Sequence, residues 1–225
     1  MIEEKSRKEL LEEPDPFLEI VDRMVAFGKQ YQRQIAAAVS GVIVLALVIT
    51  GTWYFNNRTE DRAAAMLGKA MAAYAALGKD APAAGLEETK KNFKNIVDKY
   101  GSTGAGKAAL INYADVCYKT KKFDEAIDAY TRALGVFTDP GFKSLILNGL
   151  AYSYEGKGDY EKAASNFEMI VSDKSAAMID QALFNLGRMY EKMGKAKEAK
   201  ETFARLVKEF PASMYFGLAS EKIAG

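Results

Sequence analysis

After residue 105 the chain states one pattern three times, and no other feature restricts its fold as strongly. The last copy reads Leu183, Leu186, Gly187 and Tyr190, then Ala199 and Phe203, then Pro211. The middle copy has Leu147, Leu150, Ala151, Tyr154, Ala163 and Phe167, and the first has Leu110, Tyr113, Ala114, Cys117, Ala126 and Tyr130. Ala126, Ala163 and Ala199 follow one another at intervals of 37 and 36 residues. Apolar residues three and four apart demand helices, and small residues at fixed places in both halves of each copy let two helices cross closely. Lys157-Gly158-Asp159, Met193-Gly194-Lys195 and Asp139-Pro140-Gly141 supply helix-breaking turns. A helix pair of this kind buries its faces only by stacking on the next.

The spacing resembles the tetratricopeptide repeat, W-x2-L-G-x2-Y followed by A-x3-F and P on a period near 34. Repeats are expected at 107–140, 144–177 and 180–212. Upstream, residues 60–78 are Ala-rich and helix-favouring, and 86–100 form a second helix with Phe93, Ile96 and Tyr100 on one face. With a loop around Pro82, residues 60–101 read as a divergent capping repeat, and 213–225 as a closing helix that starts near Tyr215.

The second constraint lies before the repeats. Residues 35–55, IAAAVSGVIVLALVITGTWYF, contain no charge and no proline. A helix of that length matches the hydrocarbon core of a bilayer, with its backbone groups satisfied internally. Trp53, Tyr54 and Phe55 at one end and Tyr31 near the other suit interfacial anchoring. A cleavable signal peptide carries a shorter apolar run, begins it sooner and ends it in small residues, so 35–55 reads as an uncleaved transmembrane anchor. Charge does not orient it: Arg23, Lys29 and Arg33 precede the run, and Arg58, Arg62 and Lys69 follow it.

Residues 1–34 form a mildly acidic tail. Its first 16 residues, mostly charged and holding Pro14 and Pro16, predict a disordered or loosely helical start. From Phe17 the residues Ile20, Val21, Met24, Phe27 and Tyr31 line one helix face, either resting on headgroups or docking another protein.

Composition narrows the chemistry. Histidine is absent and Cys117 is the only cysteine, which excludes His-based acid/base catalysis, Cys-His nucleophiles, His/Cys metal sites and intramolecular disulfides. The 31 basic and 30 acidic residues leave no basic excess for nucleic acid. Cys117 stands where the other copies have Tyr154 and Tyr190, an inter-helix core position that implies an inert thiol. Neither Gly104-Ala-Gly106-Lys107 nor Gly156-Lys-Gly158 has phosphate-loop spacing. No catalytic residue, cofactor or metal is expected, and the chain reads as a non-enzyme.

Function in a helical repeat array sits on the face lined by the first helix of each pair. Here that face is expected to present Ile111, Asn112, Asp115, Tyr118, Asn148, Tyr152, Glu155, Phe184, Asn185, Arg188 and Glu191. The two-carboxylate clamp of chaperone-binding repeats needs Lys and Asn where this chain has Ile111, Asp115, Asn148 and Tyr152. The mixed aromatic and amide lining instead fits an extended or helical polypeptide.

The whole layout, an acidic tail, one span ending in Trp-Tyr, an Ala-rich helix with Tyr74 and helix pairs to the end, resembles the YfgM-like ancillary SecYEG-translocon subunit family of bacterial inner-membrane proteins. That resemblance implies a cytoplasmic tail, repeats in the periplasm and no catalytic residues. It also implies partners among translocon subunits, periplasmic chaperones or exported polypeptides. A scaffold for cell-envelope assembly or division complexes is the other expectation. Charge alone leaves the topology open, and the sequence leaves the oligomeric state open.

Overall fold

The computed structural model describes residues 16–78 and 81–224, so the start expected at residues 1–16 lies outside the described residues except for Pro16, where the first helix begins. Ten helices and no strand occur among them. The chain divides into two units, Met1–Asn57 and Arg58–Gly225.

The first unit holds α1 (Pro16–Gln30) and the opening part of α2 (Gln32–Ala76). On α1 the apolar stripe is exposed at Phe17, Ile20, Met24 and Phe27. The apolar run of α2 is exposed too, with Val42, Leu45 and Leu47 each at least 60% accessible. A core helix of a water-soluble protein would bury such residues. By length and composition α2 is the one described helix able to cross a membrane. Both threonine hydroxyls of the run are satisfied within the helix: Thr50 donates to the Ala46 carbonyl at 2.7 Å and Thr52 to the Val48 carbonyl at 2.9 Å.

The division at Asn57/Arg58 falls between the span expected to end at 55 and the repeat unit expected from 60, and it lies inside one helix, since α2 runs from Gln32 to Ala76. No proline intervenes, and alanines at 63–65 and 72–73 have the highest helix propensity.

In the second unit, α3 (Ala83–Tyr100) begins three residues earlier than the periodicity indicated, directly after Pro82. Then come the pairs α4 (Gly104–Lys119) with α5 (Phe123–Val136), α6 (Pro140–Lys157) with α7 (Tyr160–Ser172), and α8 (Ile179–Lys192) with α9 (Ala196–Glu209), closed by α10 (Phe216–Ala224). The second repeat starts at Pro140, not at 144. Asp139 caps α6 by accepting from the Gly141 and Phe142 amides, and Pro140 occupies the first turn, where its missing N–H costs nothing. What reads as a turn in sequence is a helix start.

From α3 to α10 packing is nearest-neighbour, each helix meeting the next in order, with a lesser contact between α4 and α6. Two core clusters result. Helix α6 divides its apolar faces between them: Ile146 and Leu150 join the first, Leu147 and Ala151 the second. The earlier end of the unit is tied down by Glu60, whose carboxylate accepts from the Gly104 and Ala105 amides at 2.7 and 2.8 Å. That places a negative charge on the positive end of α4. Tyr74 of α2 meets Phe93 of α3 edge-on at 6.0 Å.

Candidate binding groove

The small residues of each pair set its geometry. Ala114, Ala151 and Gly187 are buried, as are Tyr130, Phe167 and Phe203, the aromatic residues of the second helices. At Gly187 a Cβ would stand 2.5 Å from the Phe203 ring. The close crossing fixes which face of α4, α6 and α8 carries the predicted groove residues.

Those residues do not form one uniform lining. Tyr152 is the hub: its hydroxyl accepts from the Asn185 amide at 2.8 Å and from Gln181 at 3.3 Å. Its ring lies 6.3 Å from Tyr118 and 5.7 Å from Phe167. Asn185 Oδ1 accepts from Arg188 at 2.9 Å, and Arg188 also donates to Glu155 at 3.0 Å, with Lys192 3.6 Å from the same carboxylate. Tyr118, Tyr152, Glu155, Asn185 and Arg188 therefore form one connected set spanning three repeats.

Asp115 belongs to a second cluster, accepting from Tyr74 at 2.7 Å and paired with Lys119 at 3.1 Å, while Lys119 also bonds the Tyr74 hydroxyl. Glu191 pairs with Lys222 of α10 at 3.0 Å. Asn112 turns back onto its own helix at the Ala108 carbonyl, 2.9 Å away, and Ile111 packs at the edge of the first core cluster. Asn148 is half-buried between the two polar clusters in sequence.

Two expectations are corrected. Asn185, expected on the open face, is only 3% exposed, because it is needed between Tyr152 and Arg188. Phe184, expected as an open aromatic contact, is stacked on Tyr215 at 5.0 Å and lies 5.8 Å from Phe203, so the segment leading into α10 covers it. Gln181, Lys119, Lys192 and Lys222 were not singled out in sequence, and Tyr74 was named there only as a feature of the Ala-rich helix, not as a groove residue. Gln181 and Lys192 stand four residues from Asn185 and Arg188, so helical periodicity around those two contains them. Tyr74 and Lys222 come from the flanking helices and carry no repeat signal.

Every carboxylate of the predicted set is paired with a cation, Asp115 with Lys119, Glu155 with Arg188 and Lys192, and Glu191 with Lys222, so none of the three is left unpaired for a basic ligand. Burial raises the pKa of the Tyr118 hydroxyl, helped by the Glu155 carboxylate. At Cys117 burial pushes the thiol up to about 11, with the nearby Glu125 carboxylate acting the same way; the thiol is protonated at neutral pH and inert. Among the described residues no three His, Cys, Asp or Glu side chains converge as metal ligands, and no buried side-chain nitrogen or oxygen lacks a hydrogen-bond partner. The arrangement suits recognition of a polypeptide by shape, ring contacts and neutral hydrogen bonds.

The comparisons agree with that architecture. A TPR repeat-containing protein of Treponema pallidum is 25% identical over 109 residues, covering 48% of this chain and 46% of that protein, so the chain spans about half the length of this curated relative. A tetratricopeptide repeat protein from Parabacteroides merdae superposes with a TM-score of 0.57 at 20% identity, over 70% of this chain and 59% of that one. PilW, a widely conserved type IV pilus biogenesis factor, gives 0.56 at 16% identity, over 92% of this chain and all of its own. These structures share the fold. The tetratricopeptide repeat-like domain family matches residues 26–220, and the chain belongs to that family.

Proposed function

We propose that this chain is a membrane-anchored adaptor without enzymatic activity or cofactor, held by the apolar part of α2. Its repeats bind translocon subunits, periplasmic chaperones or exported polypeptides at the extracytoplasmic face of a bacterial inner membrane. One observation carries the reading: a charge-free helical run with its apolar side chains unburied precedes an array whose groove carboxylates are already paired with internal cations. Lipid is the solvent that suits the first, and a polypeptide the ligand that suits the second. The tail is cytoplasmic in this reading.

Photo-crosslinking amino acids at Asn148 and at exposed Glu191, in the full chain in cells, test it. Adducts with a secretion-channel subunit, a chaperone or an exported chain are expected. Adducts confined to envelope-assembly or division proteins overturn the translocon role in favour of a scaffold. Thiol labelling of single cysteines placed in the α6–α7 turn, on a Cys117→Ala background, tests the side. Labelling from the cytoplasm alone overturns the extracytoplasmic placement.

A further inference from the structure

The third repeat lacks a side chain that the first two supply. The residue opening the second helix of each pair is Phe123, then Tyr160, then Ala196, at the same intervals that separate Ala126, Ala163 and Ala199. In the first repeat the Phe123 ring closes on the following first helix so tightly that a Cβ on Gly156 would lie 2.4 Å away. In the second, the Tyr160 ring lies beneath the Lys192 ammonium, 4.9 Å from it, and Lys192 is 3.6 Å from Glu155.

The third repeat rebuilds these surroundings without the ring. Glu191 stands one repeat on from Glu155, and Lys222 of α10 pairs with it at 3.0 Å as Lys192 pairs with Glu155. Beside Ala196 there is a cavity of about 310 Å³, lined by Glu191, Gly194, Ala196, Ala199, Lys200, Phe203 and Lys222. Its floor is the buried Phe203, and its mouth opens to solvent past exposed Gly194 and Ala196.

We infer that this cavity binds one aromatic side chain of a partner polypeptide, which takes the place that Phe123 and Tyr160 fill in the preceding repeats. The chain's own two rings define the occupant. A planar apolar ring fits against Phe203 and the alanines, and the Lys222 ammonium is placed to lie over its face as Lys192 lies over Tyr160. The site rests on reading the array as a polypeptide binder, but not on the identity of the partner.

The test uses the full chain in phosphatidylethanolamine–phosphatidylglycerol nanodiscs and a blocked Gly-Ser-Phe-Ser-Gly pentapeptide carrying para-fluorophenylalanine, followed by fluorine NMR. The wild type broadens and shifts the signal, and leucine or alanine in place of the ring weakens binding roughly tenfold. Ala196→Tyr, which fills the cavity as Tyr160 does, weakens binding roughly tenfold with the thermal midpoint unchanged or raised. Lys222→Gln weakens it about threefold. Equal affinity of wild type and A196Y, or equal affinity for the phenylalanine and leucine peptides, overturns the assignment.

A benzoylphenylalanine version of the peptide, crosslinked to the wild type, gives a second readout independent of any variant's folding. Adducts are expected on the stretch holding Ala196 or on α10, and adducts confined to other helices overturn the site. Failure of this titration leaves the cellular crosslinks at Asn148 and Glu191 as they are, and their failure leaves the titration interpretable.

Discussion

At the turn inside each repeat one residue must take a left-handed backbone, and the three copies answer differently. Gly158 has φ +79° and Gly194 φ +72°, but the first copy places Lys121 there at φ 58°. A side chain in this region costs roughly 1–2 kcal/mol relative to a right-handed conformation, less the extra freedom glycine has in the unfolded chain. Lys121→Gly is therefore expected to stabilise the array by up to about 1 kcal/mol. Gly187→Ala is expected to act oppositely, by about 1–3 kcal/mol, because its Cβ would meet the buried Phe203 ring. Urea unfolding of both variants checks the pair; a gain at Gly187 would show that the helices can separate without loss. The need for a small residue at Gly187 was legible in the repeat pattern. The strain at Lys121 was not, since only backbone angles reveal it.

Helix ends show what holds one element to the next. The Glu60 carboxylate binds two amides at the start of α4 from 44 residues away, beside the local Thr103 cap, whose hydroxyl accepts from the Gly106 amide at 2.9 Å. Glu60→Ala should cost about 1 kcal/mol, and Glu60→Gln less, since an amide oxygen keeps a hydrogen bond but loses the charge–dipole attraction. The measurement is the thermal midpoint of the array at low and high salt. An equal loss for both variants would mean that charge carries the whole effect and the neutral hydrogen bond adds nothing, whereas no loss for Glu60→Gln would mean that charge contributes nothing. Periodicity indicated these helices, whereas the ends moved: Pro140 proved to be a first-turn residue, and α2 runs on without interruption across the division at Asn57/Arg58. Ends depend on where capping groups lie in space, and Glu60 reaches α4 only once α2, α3 and α4 have packed.

Across the whole repeat unit, α6 is the member common to both core clusters. Leu150→Ala and Leu147→Ala should each destabilise by about 2–5 kcal/mol, since both leucines are 6% exposed, but they weaken different sides. Hydrogen exchange is expected to quicken in α4 and α5 for the first and in α8 and α9 for the second, as nearest-neighbour coupling predicts. Uniform quickening in both would mean a single cooperative unit. The groove follows the same logic of scale. Repeat spacing assigned the expected residues to one helix face, but neither their partners nor the burial of Asn185 was legible. Tyr152 meets Asn185, and Phe184 meets Tyr215, only after neighbouring repeats stack.

The sequence by itself determined the helical repeat architecture, the charge-free run and the absence of histidine chemistry, because these depend on side-chain size, polarity and spacing along the chain. The tertiary structure decided which groove residues are spent on holding repeats together and where a ring is missing. Burial and pairing arise only when residues 30 or more positions apart are brought within contact. Glu155 and Glu191 occupy matching positions in the pattern, yet one stands beside an occupied aromatic slot and the other beside an open one. That difference becomes visible only when Lys192 and Lys222 are seen in place above Tyr160 and Ala196.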